Sequence, residues 1–481
     1  MKQYFMKEFD ILKYYTMFKK LICFFIPVVI FLLPHSLIPI NNYTESEHRV
    51  FSIFIFAILA WVLEPIPIFA TSILIIFLEL ILVSDKGLSF LKLGFDDGVV
   101  LSYKEIFATF SSPIILLFLG GFFLSIAAIK VRLDINLARV LLKPFGSEPR
   151  RILLGLMLIT ALFSMFMSNT ATAAMMLAIL SPILKLMDEN DMGKVAFALA
   201  IPFAANIGGI GTPIGTPPNA VVQKYLTGEF EISFGEWMLF GVPFVLLLIP
   251  ICWLVILKFY PIKTESIQIN LRGKFLKTKQ ANIVYFTYLL TIFLWLLGGK
   301  VHGMSSHVVA MFPVAIFCAT KVITTEDLKK INWDVLWLVS GGIALGMGLE
   351  KTNLSRNLIE TIPFSSMSPF LLISIASVVA LLMSTFMSNT ATANLLLPIM
   401  AVMATQIPSL KEFGDVTYVL IPITFACSLA MAMPISTPPN ALGFATGLIE
   451  TQDLVKVGVF MGLIGLFVTL AITFYVAYLL Q

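Results

Sequence analysis

Stretches of roughly 20 mostly apolar residues follow one another along almost the whole chain, each long enough to cross about 30 Å of hydrocarbon as a helix. Inside a bilayer every backbone amide and carbonyl must find a partner within the protein, so such a chain folds as a helical bundle. Charge agrees with this: 12% of the 481 residues are Asp, Glu, Lys or Arg, against about 25% in a soluble domain. The net charge of +4 is small and scattered, which argues against nucleic acid as a partner. Cys23, Cys252, Cys318 and Cys427 lie in apolar runs without CxxC or Cys/His clustering, and read as packing residues.

Spans are expected near 21–40, 49–63, 66–84, 107–129, 195–226, 237–258, 281–298, 306–320, 333–350, 416–447 and 457–480. Two further apolar stretches, 152–184 and 369–407, are each interrupted midway by a polar string. If those two turn back rather than cross, the chain makes eleven crossings. With the N-terminus inside, cytoplasmic loops then carry 23 Lys and Arg and the opposite loops 9, as the positive-inside rule requires. The expected fold is therefore an all-α polytopic membrane protein with about 11 transmembrane helices and two re-entrant hairpins. Its N-terminus faces the cytoplasm and its C-terminus the outside.

The interrupting strings are copies of each other. Ser164 to Ala173 reads SMFMSNTATA and Ser384 to Ala393 reads STFMSNTATA, identical at nine of ten positions. Downstream, PIGTPPNA at 213–220 matches PISTPPNA at 434–441 at seven of eight. Five crossings separate the SNT strings, an odd number, so the second copy is upside down relative to the first. The division expected is a cytoplasmic N-terminus at 1–20, a first helix at 21–48, repeat 1 at 49–258, a cytoplasmic linker at 259–280 and repeat 2 at 281–481. Inverted repeats with interrupted helices meeting at the bilayer midplane are the build of many secondary transporters.

At an SNT tip one half-helix ends and another begins, so carbonyls of the first and amides of the second face the same small space. Carbonyl, Ser and Asn oxygens form a hard cation pocket, while the amide end suits a carboxylate, phosphate or sulfate. The TPPN strings break the fifth and tenth crossings and are expected to free carbonyls for the opposite wall. None of the four strings contains Lys, Arg, His, Asp or Glu. An anion placed there meets only dipoles, so a co-bound cation must offset its charge. This points toward cation-coupled anion transport. A channel and an intramembrane enzyme are the rivals from other classes, and the strings carry no nucleophile with a base and no catalytic residues.

Paired SNTATA strings, each followed about 45 residues later by TPPN, resemble the divalent anion/sodium symporter (DASS, INDY-like) family of dicarboxylate, citrate and sulfate carriers. The resemblance covers residues 20–480. It implies a homodimer in the lipid bilayer of a bacterial inner or plasma membrane, working as an elevator with scaffold and transport domains. It also implies co-transported Na⁺, two ions or more. By that resemblance Ser164, Ser168, Asn169 and the carbonyl of Gly215 ligate one sodium, and Ser384, Ser388, Asn389 and the carbonyl of Ser436 a second. Asn169, Thr170, Asn389 and Thr390, with Thr216, Pro217, Thr437 and Pro438, line the substrate pocket. The implied activity is sodium-coupled uptake of a divalent anion, with succinate, fumarate and malate ahead of citrate and sulfate, and with anion exchange as the alternative mode.

Overall fold

The computed structural model describes residues 2–38, 43–92, 100–268, 273–361 and 367–480. Among them the regular secondary structure is helical, apart from an isolated bridge between Ser84 and Leu101. By length and composition, six of the described helices suffice to cross a membrane: Glu45–Leu63, Tyr103–Lys130, Phe234–Phe259, Lys279–Leu297, Pro369–Phe386 and Thr451–Leu479. Shorter apolar helices stand at Ile68–Leu82, Asn169–Leu184, Gly193–Gly209, Ser306–Ala319 and Val416–Ser428.

Two compact units divide the chain. The first comprises Met1–Ser112, Trp333–Leu372 and Thr390–Leu420. Within it Ile68–Leu82 packs on Trp333–Lys351, and Glu45–Leu63 touches both. Glu45–Leu63 begins with a capping box: Thr44 Oγ1 accepts from the Glu47 amide at 3.3 Å, and the Glu47 carboxylate accepts from the Thr44 amide at 2.7 Å. This satisfies two amides that a helix start otherwise leaves open. His48, in the first turn of this helix, is buried and edge-on to Tyr43.

The second unit comprises Pro113–Asn332, Ile373–Asn389 and Ile421–Gln481. Here Pro149–Ser164 and Asn169–Leu184 are joined by the four residues 165–168, touch each other, and both pack on Gly193–Gly209. Phe234–Phe259 lies against Gly193–Gly209 and Thr451–Leu480. The linker between the repeats is tied to this bundle through Asp191. Its carboxylate accepts from the amides of Gly193 at 2.7 Å and Thr264 at 2.8 Å and from the Thr264 hydroxyl at 2.6 Å. Burial alone would raise the Asp191 pKa, but these donors outweigh it and hold the carboxyl below its usual range. Cys23, Cys252 and Cys427 are buried, whereas Cys318 is exposed on an apolar helix and is not a core residue.

Candidate functional site

Both SNT turns and both TPPN strings fall in the second unit, up to and including Asn389. The first helix arm ends at Ser164 and the next begins at Asn169, with Ser168 as its N-cap accepting from the Ala171 amide at 3.2 Å. In the second copy the arms are Pro369–Phe386 and Asn389–Gln406. The polar string interrupts the helix because Ser and Asn bond more readily to local backbone amides than they extend a helix.

Ser164 is fully buried. Its hydroxyl lies 2.7 Å from the carbonyl oxygen of Ala205, at the broken end of Gly193–Gly209. One arm of the Asn169 amide lies 2.5 Å from Ser164 Oγ, 2.9 Å from the Gly215 carbonyl oxygen and 3.2 Å from the Ala205 carbonyl oxygen. With nitrogen in that arm, the amide donates to all three. With oxygen there, the single Ser164 hydroxyl hydrogen can serve either that oxygen or the Ala205 carbonyl, and the remaining oxygens face one another as a cation would need them to. Gly209 and Gly215 make the convergence possible: a Cβ on Gly209 would lie 2.6 Å from Asn169 Oδ1 and 2.8 Å from the Gly215 oxygen. Gly215 is thus beside Asn169.

The second copy repeats the core of this arrangement. Ser384, also fully buried, places its hydroxyl 2.7 Å from Asn389 Oδ1 and 2.8 Å from the Cys427 carbonyl oxygen. Ser436, standing where the first copy has Gly215, uses its hydroxyl to donate to the Thr385 carbonyl at 2.7 Å. The corresponding carbonyl in the first copy, that of Met165, is bonded by the Thr212 hydroxyl instead. The same anchor therefore comes from different loop positions in the two copies. Nine residues, 207–215, lead into the first TPPN string and eight, 429–436, into the second, which accounts for the shift.

The prolines do not themselves open the broken helices. Pro217 and Pro438 start the next half-helices, Pro217–Gln223 and Pro438–Ala445, where a missing amide hydrogen costs nothing. The asparagines of the strings then satisfy much of the freed backbone. Asn219 Nδ2 donates to the carbonyls of Gly209, Ile210 and Thr212 at 3.1, 3.2 and 2.9 Å, and Asn440 Nδ2 to those of Met431 and Met433 at 2.8 and 3.0 Å. The Trp237 indole adds a bond to the Ile210 carbonyl at 3.0 Å. Freed carbonyls in the TPPN loops are thus largely clasped by the loop's own side chains, with the Gly215 carbonyl turned to Asn169.

Asn206 was not singled out by sequence. It is buried, and its Nδ2 donates to Thr437 Oγ1 at 3.0 Å and to Asn440 Oδ1 at 3.1 Å, bridging the first broken helix to the second TPPN string. Its only sequence signal is an Asn in an otherwise apolar helix. Thr437 caps Pro438–Ala445 by accepting from the Asn440 amide at 3.3 Å. Thr216 is buried and Thr170 and Pro217 half-buried, whereas Pro438 is exposed. Thr390 is buried at the start of the segment that belongs to the first unit.

A family model described as citrate transporter (CitMHS) matches residues 58–414, well over half of the chain. The chain belongs to this anion transporter family. A sodium-dependent dicarboxylate transporter SdcS from Staphylococcus saprophyticus is 30% identical over 487 aligned positions, covering 93% of this chain and 89% of the relative. Its namesake from Staphylococcus aureus strain USA300 is 31% identical, covering 86% and 83%. The crystal structure of the Alcanivorax borkumensis YdaH transporter superposes with a TM-score of 0.53 at 11% identity, over 89% of this chain and 98% of that one, which is a likeness of fold. Members of the anion transporter family are carriers, and this chain is a transporter rather than an enzyme.

Proposed function

We propose that the protein is a sodium-coupled symporter for the uptake of a C4-dicarboxylate such as succinate, fumarate or malate. The observation that carries this reading is the convergence of the Ser164, Ala205 and Gly215 oxygens on one arm of the Asn169 amide, repeated in outline by Ser384, Asn389 and Cys427. Ser168 and Ser388, at the tips, complete the two proposed sodium sites. The printed names of the staphylococcal relatives support the pairing of sodium with dicarboxylate. Citrate is the second reading, favoured by the description of the matching family model. Sulfate transport and anion exchange remain within reach of the same chemistry.

Coupling follows from the Asn169 amide. Without an ion, its nitrogen serves the three pocket oxygens and is unavailable elsewhere. A sodium ion requires the oxygen to turn inward, which turns the nitrogen outward as a donor for a substrate carboxylate. Ion binding therefore creates part of the anion site, and by linkage each ligand raises the other's affinity by the same factor. Asn389 already turns its Oδ1 toward Ser384 Oγ, at 2.7 Å, and so leaves its nitrogen to the other end of a diacid. In this reading the strings at 152–184 and 369–407 are re-entrant hairpins of an inverted repeat, the N-terminus is cytoplasmic, and the dimeric protein moves its transport domain as an elevator.

Uptake of labelled succinate into proteoliposomes, driven by an inward sodium gradient and challenged with unlabelled fumarate, malate, citrate and sulfate, tests the proposal. Succinate uptake that needs sodium and yields to fumarate and malate is expected. Uptake that proceeds without sodium overturns the coupling, and stronger competition by citrate moves the assignment to a tricarboxylate.

A further inference from the structure

A cavity of about 230 Å³ lies beside the first hairpin tip, within the second unit. Its lining includes Ser168 at the tip and the wall of Pro113–Lys130 between Phe122 and Lys130, roughly 12 Å of helix. Lys130, Asp327 and Lys330 line it too. Lys130 Nζ donates to Asp327 Oδ2 at 2.5 Å and to the Val322 carbonyl at 2.8 Å, and Lys330 Nζ donates to Asp327 Oδ1 at 2.9 Å. Asp327 is buried and also accepts from the Thr324 amide and hydroxyl at 3.0 and 2.9 Å. Burial works against its charge, yet the two lysines and Thr324 hold its carboxyl well below the usual range, so it stays ionised.

One ammonium would neutralise this carboxylate. Two leave a surplus positive charge on a cavity that also reaches Ser168, in a tip that has no charged side chain of its own. Lys130 is one-third exposed and Lys330 two-thirds exposed, so Lys330 is the more readily released of the pair. We propose that this cavity is a cytoplasm-side antechamber in which Lys330, together with Lys130, binds the dianion of a small dicarboxylic acid on its way to or from the sodium-dependent site. Lys330 swings from Asp327 to a substrate carboxylate while Lys130 keeps Asp327 neutralised, so no buried charge is left unpaired. The inference rests on the dicarboxylate transport and the orientation proposed above.

The test places a cysteine on the cavity wall by Ile129→Cys, in a Cys318→Ser background because Cys318 is the exposed native thiol among the described residues. Membrane-impermeant thiosulfonates, one anionic and one cationic, are applied to the cytoplasmic face of inside-out vesicles. A unit charge about 7 Å away across water changes the local concentration of a monovalent ion about threefold. The ratio of anionic to cationic labelling should therefore fall about tenfold with Lys330→Gln. It should rise by a similar factor with Asp327→Asn, and Lys330→Arg should restore it. Succinate should slow labelling in sodium-free buffer, less so in Lys330→Gln. A ratio that ignores both charge changes, labelling confined to the outer face, or succinate protection only when sodium is present would each overturn the antechamber. Sodium-driven succinate uptake, measured on the same preparations, reports separately on the proposed transport activity.

Discussion

Gly209→Ala isolates the first of the two proposed sodium pockets. The added methyl would lie 2.6 Å from Asn169 Oδ1 and 2.8 Å from the Gly215 oxygen, where ordinary contact begins at 3.4 Å. Those two oxygens must therefore retreat by roughly 0.6–0.8 Å, a distance larger than an ion site tolerates when its ligands sit on rigid backbone. Disturbing the support of a metal ligand typically costs 10- to 100-fold in affinity, here about 1.4–2.7 kcal/mol. The second pocket is spared, since residues 429–436 contain no glycine to alter. In proteoliposomes the sodium concentration for half-maximal succinate uptake should rise at least tenfold and the sodium Hill coefficient should fall toward one. Monodisperse elution of the detergent-solubilised variant guards against misfolding as the cause. Half-saturation within twofold of the parent protein, with an unchanged Hill coefficient, would refute the assignment of these oxygens to sodium.

Asn169→Ala and Asn389→Ala should each abolish uptake while leaving folded protein in the membrane, and sodium-dependent transport by either variant counts against the shared ion and anion site. Cysteines introduced at the exposed positions Ser147 and Lys277 should react only from the cytoplasm and one at Arg356 only from outside; labelling of position 277 from outside would mean that residues 152–184 cross. A succinate jump on a solid-supported membrane should give an inward-positive sodium-dependent current if more than two ions accompany the dianion, and silence would limit coupling to the two pockets. Because the folded-state pKa of Asp191 is depressed, its contribution is complete above the ordinary carboxylate pKa of about 3.9 and is lost as pH falls through the lower folded value. Protection of the 263–264 amides, measured relative to their intrinsic exchange rates, should accordingly fall on acidification below about pH 4 and already be low at neutral pH in Asp191→Ala, and pH-independent protection would contradict this.

Apolar runs and the duplicated SNTATA and TPPN strings are local or countable features, so the sequence alone determined a helical membrane protein and the residues around which its chemistry is proposed. Ser164, Asn169, Ser384 and Asn389 were legible because a polar string inside hydrocarbon is too costly to keep without a use. Tertiary structure decided what those strings touch. The Ala205 and Cys427 carbonyls, 41 and 43 residues from their serines, are backbone atoms whose role no residue type announces. The clasps by Asn219 and Asn440 and the bridge from Asn206 to Thr437 likewise depend on which helix ends meet, set by packing across long sequence separations. The exchange of Thr212 for Ser436 as the anchor of equivalent carbonyls shows the limit of reading by alignment, since one residue fewer in a loop moves a hydroxyl to a new position while the bond it must make stays where the fold puts it.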